Sequence, residues 1–349
     1  MNSEVSIIFA PTGSRYFPKN SGKGDFEHPH LIYKPEDLAK EINQLLNEGL
    51  ISQVHLHARN PEDGFPTGNP EHYKLLLQAL QENIEINDYY LSITTTDNNI
   101  PKEDKEASGD MARAAILLCN YDNLKPNRIP LIDTLAASLQ VINSNRSVVA
   151  ERFNEFIDNC LKIMEQKNIG FEIEIPNYNL FEVAKDFLAK MRYRINRNEF
   201  NSENLIGSIN APVIQMLFGA RDNMPCTEEF ISNALERANN ELSPRSIQVG
   251  FRHNHDQFNP DIARFLLGLA KQGKIQGIRI GIEDTPKNMD GEYVSNSWLV
   301  EQINKIAKEV GVSIRPPQEA LNLIQNKNIV ISSAEPSSVI NTKFNENFF

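Results

Sequence analysis

Cysteine is scarce in this chain. Only Cys119, Cys160 and Cys226 occur in 349 residues, scattered and without Cys-x-x-Cys spacing. That excludes a disulfide framework and suits a reducing compartment. No apolar run approaches the ~20 residues that a membrane span needs. The opening Met1-Asn2-Ser3-Glu4-Val5 lacks the basic and then apolar regions of a signal peptide, so a soluble, cytoplasmic protein is expected. Positive charge is in deficit: a formal net charge of −11 argues against a nucleic-acid or anionic-membrane surface. A local basic pocket for an anionic ligand remains compatible with that charge. No Gly-x-Gly-x-x-Gly follows an early strand, so a doubly wound dinucleotide fold lacks its fingerprint. Internal repeats and low-complexity tracts are absent.

The composition, 40% hydrophobic and 23% charged, is that of an ordinary globular protein. Short apolar, β-branched runs recur at 5–9, 53–57, 90–94, 137–142, 170–175, 212–217, 246–250 and 278–282. Helical patterns lie between most of them, at 35–46, 71–80, 148–166, 180–192, 227–239, 261–271 and 297–310. Strands alternating with helices predict parallel βαβ units, and nearly continuous apolar strands predict a sheet covered by helices. Eight such units predict an α/β protein of the (β/α)₈, or TIM, barrel class. One catalytic barrel domain is expected over 1–327, with 328–349 a tail or an arm onto a neighbouring subunit. Segments 12–27 and 95–127 fall outside the regular units. They follow strands, where a barrel builds its active site, and are candidate lids.

Six of the seven histidines form three His-x-His pairs. His28-Pro29-His30 lies in a proline-containing loop where nothing in the sequence fixes the rings, and His253-Asn254-His255 follows the seventh strand. Only His55 and His57, in Val54-His55-Leu56-His57-Ala58-Arg59, sit on a predicted strand near its C-terminal end. Alternation puts both rings on one face, about 7 Å apart along the chain. They are either two core histidines satisfied by hydrogen bonds or half a metal site.

A third ligand is offered by Ile278-Arg279-Ile280-Gly281-Ile282-Glu283-Asp284. Period-two alternation there puts Arg279, Gly281 and Glu283 on one face, and Glu283 emerges at the level of His57. An unpaired Arg279 inside a barrel is costly, so it is expected to be paired or functional. The plainer reading is an acidic turn in which Asp284 caps the next segment of chain. A His₂-carboxylate set with open positions suits zinc, although Fe(II) uses the same ligands. A metal-dependent hydrolase of the amidohydrolase type also uses His-x-His in a barrel. It normally carries that pair after strand one and further histidines on strands five and six, whereas no histidine occurs here between His72 and His253. A barrel that has lost activity and serves in binding or assembly is the non-enzymatic alternative.

At these residues the chain resembles the β-keto acid cleavage enzymes, from about Val5 to Ile324. The resemblance is carried by Ala10-Pro11-Thr12-Gly13, the histidine segment continued to Asn60-Pro61-Glu62-Asp63-Gly64, Glu172-Ile173-Glu174-Ile175, the Arg279–Asp284 strand, and Pro316-Pro317-Gln318-Glu319-Ala320. It implies a zinc-bearing (β/α)₈ barrel, often a homotetramer, that takes a β-keto acid and acetyl-CoA to acetoacetate and a new acyl-CoA. By position it implies His55, His57 and Glu283 as Zn²⁺ ligands. Arg279 and Asp284 correspond to the dyad that removes the substrate's C2 proton, and Glu174 to a further acid in the pocket.

The chain departs from the family where Ser-Thr-Gly-Gly usually follows strand three; here Thr94-Thr95-Thr96-Asp97 stands. After strand four it reads Gln140-Val141-Ile142-Asn143-Ser144. Thr94, Asn143, Arg15 and Arg59 are the candidate substrate-binding residues. Members that take an amino substrate carry an acid where Arg15 aligns. A cation there favours an anionic or polar side chain, and predicts a substrate other than 3-keto-5-aminohexanoate. Arg15, Lys19, Lys23, Arg59 and Arg252 are the candidate cations for the CoA side, each with an ordinary surface charge or structural ion pair as its alternative.

Overall fold

The computed structural model describes residues 3–13, 15–67, 69–86, 89–94, 134–138, 161–162, 165–166, 170–220, 223–253 and 256–325. Eight parallel strands run in chain order. They are β1 (Glu4–Phe9), β2 (Gln53–Leu56), β3 (Tyr90–Thr94), β4 (Thr134–Ser138), β5 (Gly170–Ile175), β6 (Val213–Phe218), β7 (Ser246–Phe251) and β8 (Gly277–Ile280). Each pairs with the next, and β8 pairs back onto β1 with Phe9 opposite Ile280. The sheet is therefore a closed (β/α)₈ barrel, as the alternation of strand and helix predicts.

The described helices are α1 (Pro35–Asn47), α2 (Pro70–Asn83), α3 (Leu180–Asn196), α4 (Glu203–Asn210), α5 (Glu228–Leu242), α6 (Pro260–Lys271), α7 (Asn296–Val310) and α8 (Pro317–Gln325). Their starts are chemically marked. The side chains of Asn69, Thr227, Asn259 and Ser295 accept backbone N–H bonds from Glu71, Phe230, Asp261 and Trp298.

Alternation along the strands sorts residues into two layers. Ile7, Val54, Leu91, Ile173, Ile214, Val249 and Ile278 join the apolar core beneath the helices. Ser6, Gln53, His55, Ser92, Glu172, Glu174, Gln215, Gln248 and Arg279 alternate with them and are equally buried. The interior is thus largely polar, and its groups satisfy one another. Gln215 Nε2 donates to Gln248 Oε1 at 3.0 Å, and Gln248 Nε2 to Gln53 Oε1 at 2.8 Å. At the N-terminal end, Leu321 and Ile324 of α8 pack on Tyr90 and Val213.

Several expectations need correction. The fourth strand is Thr134–Ser138, several residues before the expected 137–142, because its apolar run is longer than one strand and pairing with β5 sets the register. The eighth stops at Ile280 rather than Ile282. Gly281 has φ +151°, and a Cβ on it would lie 2.0 Å from the Ala10 carbonyl oxygen. Helices α4 and α8 were absent from the periodicity, and α4 is only 8 residues long. The loop after β1 is not featureless: Phe17–Pro18 pairs with Glu27–His28, and Gly24–Phe26 forms a 3₁₀ turn. His28 is fixed there, with its ring Nε2 3.3 Å from the Pro286 carbonyl and its Nδ1 accepting from His30 N. Segment 95–127, most of the helix expected at 148–166, Asn143, His255 and the tail at 328–349 lie outside the described residues. Among the described residues, no helix is long and apolar enough to cross a membrane.

Asn296 ties the ends of β1 and β8 to the helical layer. Its Oδ1 accepts from Ile282 N at 3.0 Å, and its Nδ2 lies 3.3 Å from Pro11 O and 3.2 Å from Glu41 Oε2. Burial pushes the Glu41 carboxyl up from 4.5 to about 7, against the smaller opposing effect of the Asn296 and Ser297 hydrogen bonds. The folded state thus holds this proton after the unfolded chain has released it, so stability falls as pH rises from 4.5 to about 7. Glu41→Gln is expected to flatten that slope and to exceed the wild type above pH 7 by up to roughly 3 kcal/mol. Urea denaturation across that range checks this. A variant whose stability keeps the wild-type pH slope contradicts it.

Candidate metal centre

The mouth of the barrel gathers residues from several strand ends. His55 lies on β2 and His57 just beyond it, with both rings facing inward and centroids 5.5 Å apart. Glu283 comes from the turn after β8. That turn is held by Asp284 N and Thr285 N, each donating to Gly281 O at 3.0 Å. The nearest ligand atoms of His55, His57 and Glu283 all lie within 4.8 Å of one another. His57 Nε2 is 3.1 Å from Glu283 Oε1, and His55 Nε2 is 3.9 Å from it.

Arg279 is the centre of charge. It is 1% exposed, and its Nε donates to Asp284 Oδ2 at 2.7 Å. Its Nη1 reaches Glu174 Oε1 at 2.9 Å and Gln215 Oε1 at 3.1 Å, while Nη2 donates to Glu283 Oε1. Burial alone disfavours the guanidinium charge, but Asp284, Glu283 and Glu174 together raise its pKa above the ordinary arginine value. Burial likewise pushes the Glu283 carboxyl up, and Arg279, His57 and His55 overcome it, holding that group well below the usual carboxylate range. Glu283 therefore stays ionised.

The donor set suits a divalent cation. Two imidazole nitrogens and one carboxylate match zinc or Fe(II), and the geometry does not choose between them. Glu283 Oε2 is buried without a hydrogen-bond partner among the described residues, which leaves its lone pairs available. The surrounding charge points the same way. The buried carboxyl groups of Glu174, Glu283 and Asp284 gather around Arg279, with Arg252 lying 3.6 Å from Asp284. Among the described residues the buried Glu172 carboxyl has only the His55 ring as a basic neighbour within 4 Å.

The remaining sequence candidates lie around this centre. Arg15 forms an ion pair with Asp256 at 2.7 Å, and Tyr16 OH donates to the other oxygen of the same carboxylate at 2.8 Å. These residues line a cavity of about 650 Å³ with Arg252, Cys226 and Lys287. Arg252 links that cavity to the centre, donating to Glu283 O at 2.9 Å and lying 3.6 Å from Asp284 Oδ1. Arg59 is buried and bonds the carbonyls of Gly64, Thr12 and Gly13, so it braces the loop carrying Gly13. Lys19 is exposed, and Lys23 sits over the rings of Phe17 and Phe65. Thr94 ends β3; Asn143 is not among the described residues.

Sequence reasoning passed over Glu172, Ser92 and Tyr90. Tyr90 OH donates to Glu172 Oε2 at 2.9 Å, Ser92 Oγ donates to Glu172 Oε1, and Ser92 Oγ lies 3.2 Å from His55 Nδ1. The spacing of Glu172 and Glu174 did carry a signal, since residues two apart on a strand share a face. Asp256, on a loop, carried none.

Gly13 makes room for the third ligand. Its φ is +52°, and a Cβ there would lie 2.4 Å from Glu283 Cγ. Gly13→Ala is expected to cost about 1–3 kcal/mol of stability and to displace the Glu283 carboxylate. Divalent-cation affinity, measured by chelator competition, is expected to drop at least tenfold. Unchanged affinity in a folded variant contradicts that role for Gly13.

Comparison with known proteins identifies the family. The family model described as "beta-keto acid cleavage enzyme" matches residues 4–325. A 3-keto-5-aminohexanoate cleavage enzyme of Fusobacterium nucleatum is 23% identical over 86% of this chain and 93% of its own. A 3,5-dioxohexanoate:acetyl-CoA acetone transferase of Paraburkholderia graminis is 23% identical over 93% of this chain and 96% of its own. Among solved structures, ObcA in its binary complex with oxaloacetate superposes with a TM-score of 0.57 at 13% identity, over 86% of this chain and 68% of that one. That likeness shows the shared barrel fold. The match over nearly the whole length makes this chain a member of the β-keto acid cleavage enzyme family.

Proposed function

We propose that this enzyme condenses a β-keto acid with acetyl-CoA and releases acetoacetate and a new acyl-CoA, with His55, His57 and Glu283 holding Zn²⁺. The observation that carries this reading is the convergence of those three side chains beside the Arg279–Asp284 pair. A bound divalent cation supplies Lewis-acid stabilisation for the negative charge that develops across the keto and carboxylate oxygens.

On this reading Asp284, hydrogen-bonded to Arg279 and flanked by Arg252, takes the C2 proton of the β-keto acid. The C2 carbanion then attacks the acetyl carbonyl, and the C–S bond breaks to release CoA thiolate. The thiolate adds to the original keto carbon. Cleavage of the C–C bond there gives the new acyl-CoA and the carbanion of acetoacetate, which recovers the proton from Asp284. Atoms balance without a covalent enzyme intermediate. Glu174 and Gln215 hold the far side of Arg279 and keep the guanidinium turned toward Asp284.

The adjoining cavity suits the substrate's side chain. Arg252, Lys287 and Arg15 line it together with Asp25 and the Arg15-paired Asp256, a mixed wall with one cation in excess that favours a polar or anionic group over an ammonium. The relatives named above support the reaction type but leave the acyl chain open.

A panel of β-keto acids incubated with acetyl-CoA and zinc, with acetoacetate as the readout, tests the reading. Turnover is expected with at least one polar or acidic member, and little with 3-keto-5-aminohexanoate. Asp284→Asn is expected to lower kcat by about 10²–10⁴-fold, the range for loss of a general base. No acetoacetate from any member, or preference for the amino substrate, overturns the corresponding part.

A further inference from the structure

We infer that Glu172 and Ser92 form a relay that locks the tautomer of His55, presenting the Nε2 lone pair to the cation site. The relay rests on the reading of His55 as a ligand, but its core is a claim about one proton on one ring.

Hydrogen-bond bookkeeping within the barrel decides where that proton sits. Ser92 has a single hydroxyl hydrogen and two close neighbours, Glu172 Oε1 and His55 Nδ1. It donates to the carboxylate, so its oxygen is left to accept, and His55 must bring the hydrogen on Nδ1. On the opposite side of the ring, a hydrogen on Nε2 would face no acceptor on Arg279, whose two Nη1 hydrogens already serve Glu174 and Gln215. Arg279 Nη1 lies 3.4 Å from His55 Nε2, and a guanidinium only donates. With the hydrogen on Nδ1, Nε2 carries the lone pair, and Glu283 Oε1 lies 3.9 Å from it.

Strand register builds the relay. His55 on β2 is the direct partner of Ser92 on β3, which places the hydroxyl beside the ring. Glu172 lies two strands further on, and its side chain reaches across β4 to Ser92. Tyr90, two residues before Ser92 and on the same face, holds the second carboxylate oxygen. Leu321 and Ile324 of α8 pack against that tyrosine from below.

A purely structural role explains Glu172 poorly. The residue is fully buried, and the nearest basic group among the described residues is the His55 ring, at 3.8 Å. A buried carboxylate without a cationic partner is expensive. Behind a ligating histidine, the same carboxylate orients the ring and raises its basicity toward a metal. Glu172 is thus a positioning residue acting through Ser92.

The test uses the whole protein, with ¹⁵N-labelled histidine and no added metal. Long-range ¹H–¹⁵N spectra are expected to show His55 protonated on Nδ1 alone. Protonation on Nε2, or a mixture of tautomers, overturns the relay. In Ser92→Ala and Glu172→Gln the tautomers are expected to mix, and zinc affinity by chelator competition to fall about 10–100-fold, the range for loss of an outer partner of a metal ligand. Ser92→Thr, which keeps the hydroxyl, is expected to restore both readouts. Wild-type tautomer and affinity in folded Ser92→Ala and Glu172→Gln proteins also overturn it. Should a variant not fold, the wild-type spectrum decides. A wild type that binds no zinc refutes the ligand reading of His55, while its spectrum still decides the relay.

Discussion

The arrangement at the barrel mouth depends on one buried cation. Arg279 is sealed from solvent and is bonded to Glu174, Glu283 and Asp284. Without it, three carboxylates would face each other in a medium that screens charge poorly. With it, each has a fixed direction. Glu283 and Asp284 are neighbours in sequence, and on a strand they would point to opposite faces. They touch the same guanidinium because β8 ends at Ile280, and Gly281 turns the chain through a conformation with φ +151°. The glycine and the arginine are therefore a single device: one bends the backbone back and the other collects what the bend delivers.

The polar interior extends this logic downward. Barrel interiors are usually filled by branched apolar residues in layers. Here glutamines, two serines and two glutamates are among the residues at those positions, and the glutamines run from Arg279 through Gln215 and Gln248 to Gln53. A satisfied network of this kind fixes side-chain directions more narrowly than apolar packing does, because each donor has its own acceptor. The family to which the chain belongs is named for a reaction in which charge moves between oxygens and carbon. A scaffold of fixed dipoles suits that demand.

Much of this was legible in the sequence, and the physical reasons for success and failure differ. The barrel followed from apolar runs alternating with amphipathic ones, a pattern set by burial. His55 and His57 share a face because strand periodicity is two, and the same rule placed Arg279 inward. Glu283 was expected at the correct level for a mistaken reason: the alternation stops at Ile280, and a turn completes the placement. Arg15 read as a candidate for an anionic or polar group with a structural ion pair as its alternative, and its partner, Asp256, more than two hundred residues away, could not be named. Arg59 read as either an anion ligand or a structural charge, and the structure shows its donors bonded to three carbonyls. Such long-range partners leave no local pattern. Glu172 was visible beside Glu174, but its contact with Ser92 depends on strand register across β4, which periodicity alone does not specify.

The central claim is that His55, His57 and Glu283 bind one divalent cation together. Anomalous diffraction at the zinc edge, from crystals of the purified protein grown with zinc, tests it most directly. A single strong peak about 2.0–2.2 Å from one nitrogen of each imidazole and from a Glu283 oxygen is the expected result. A peak elsewhere on the molecule, with these three side chains still bonded only to one another and to Arg279, would contradict it.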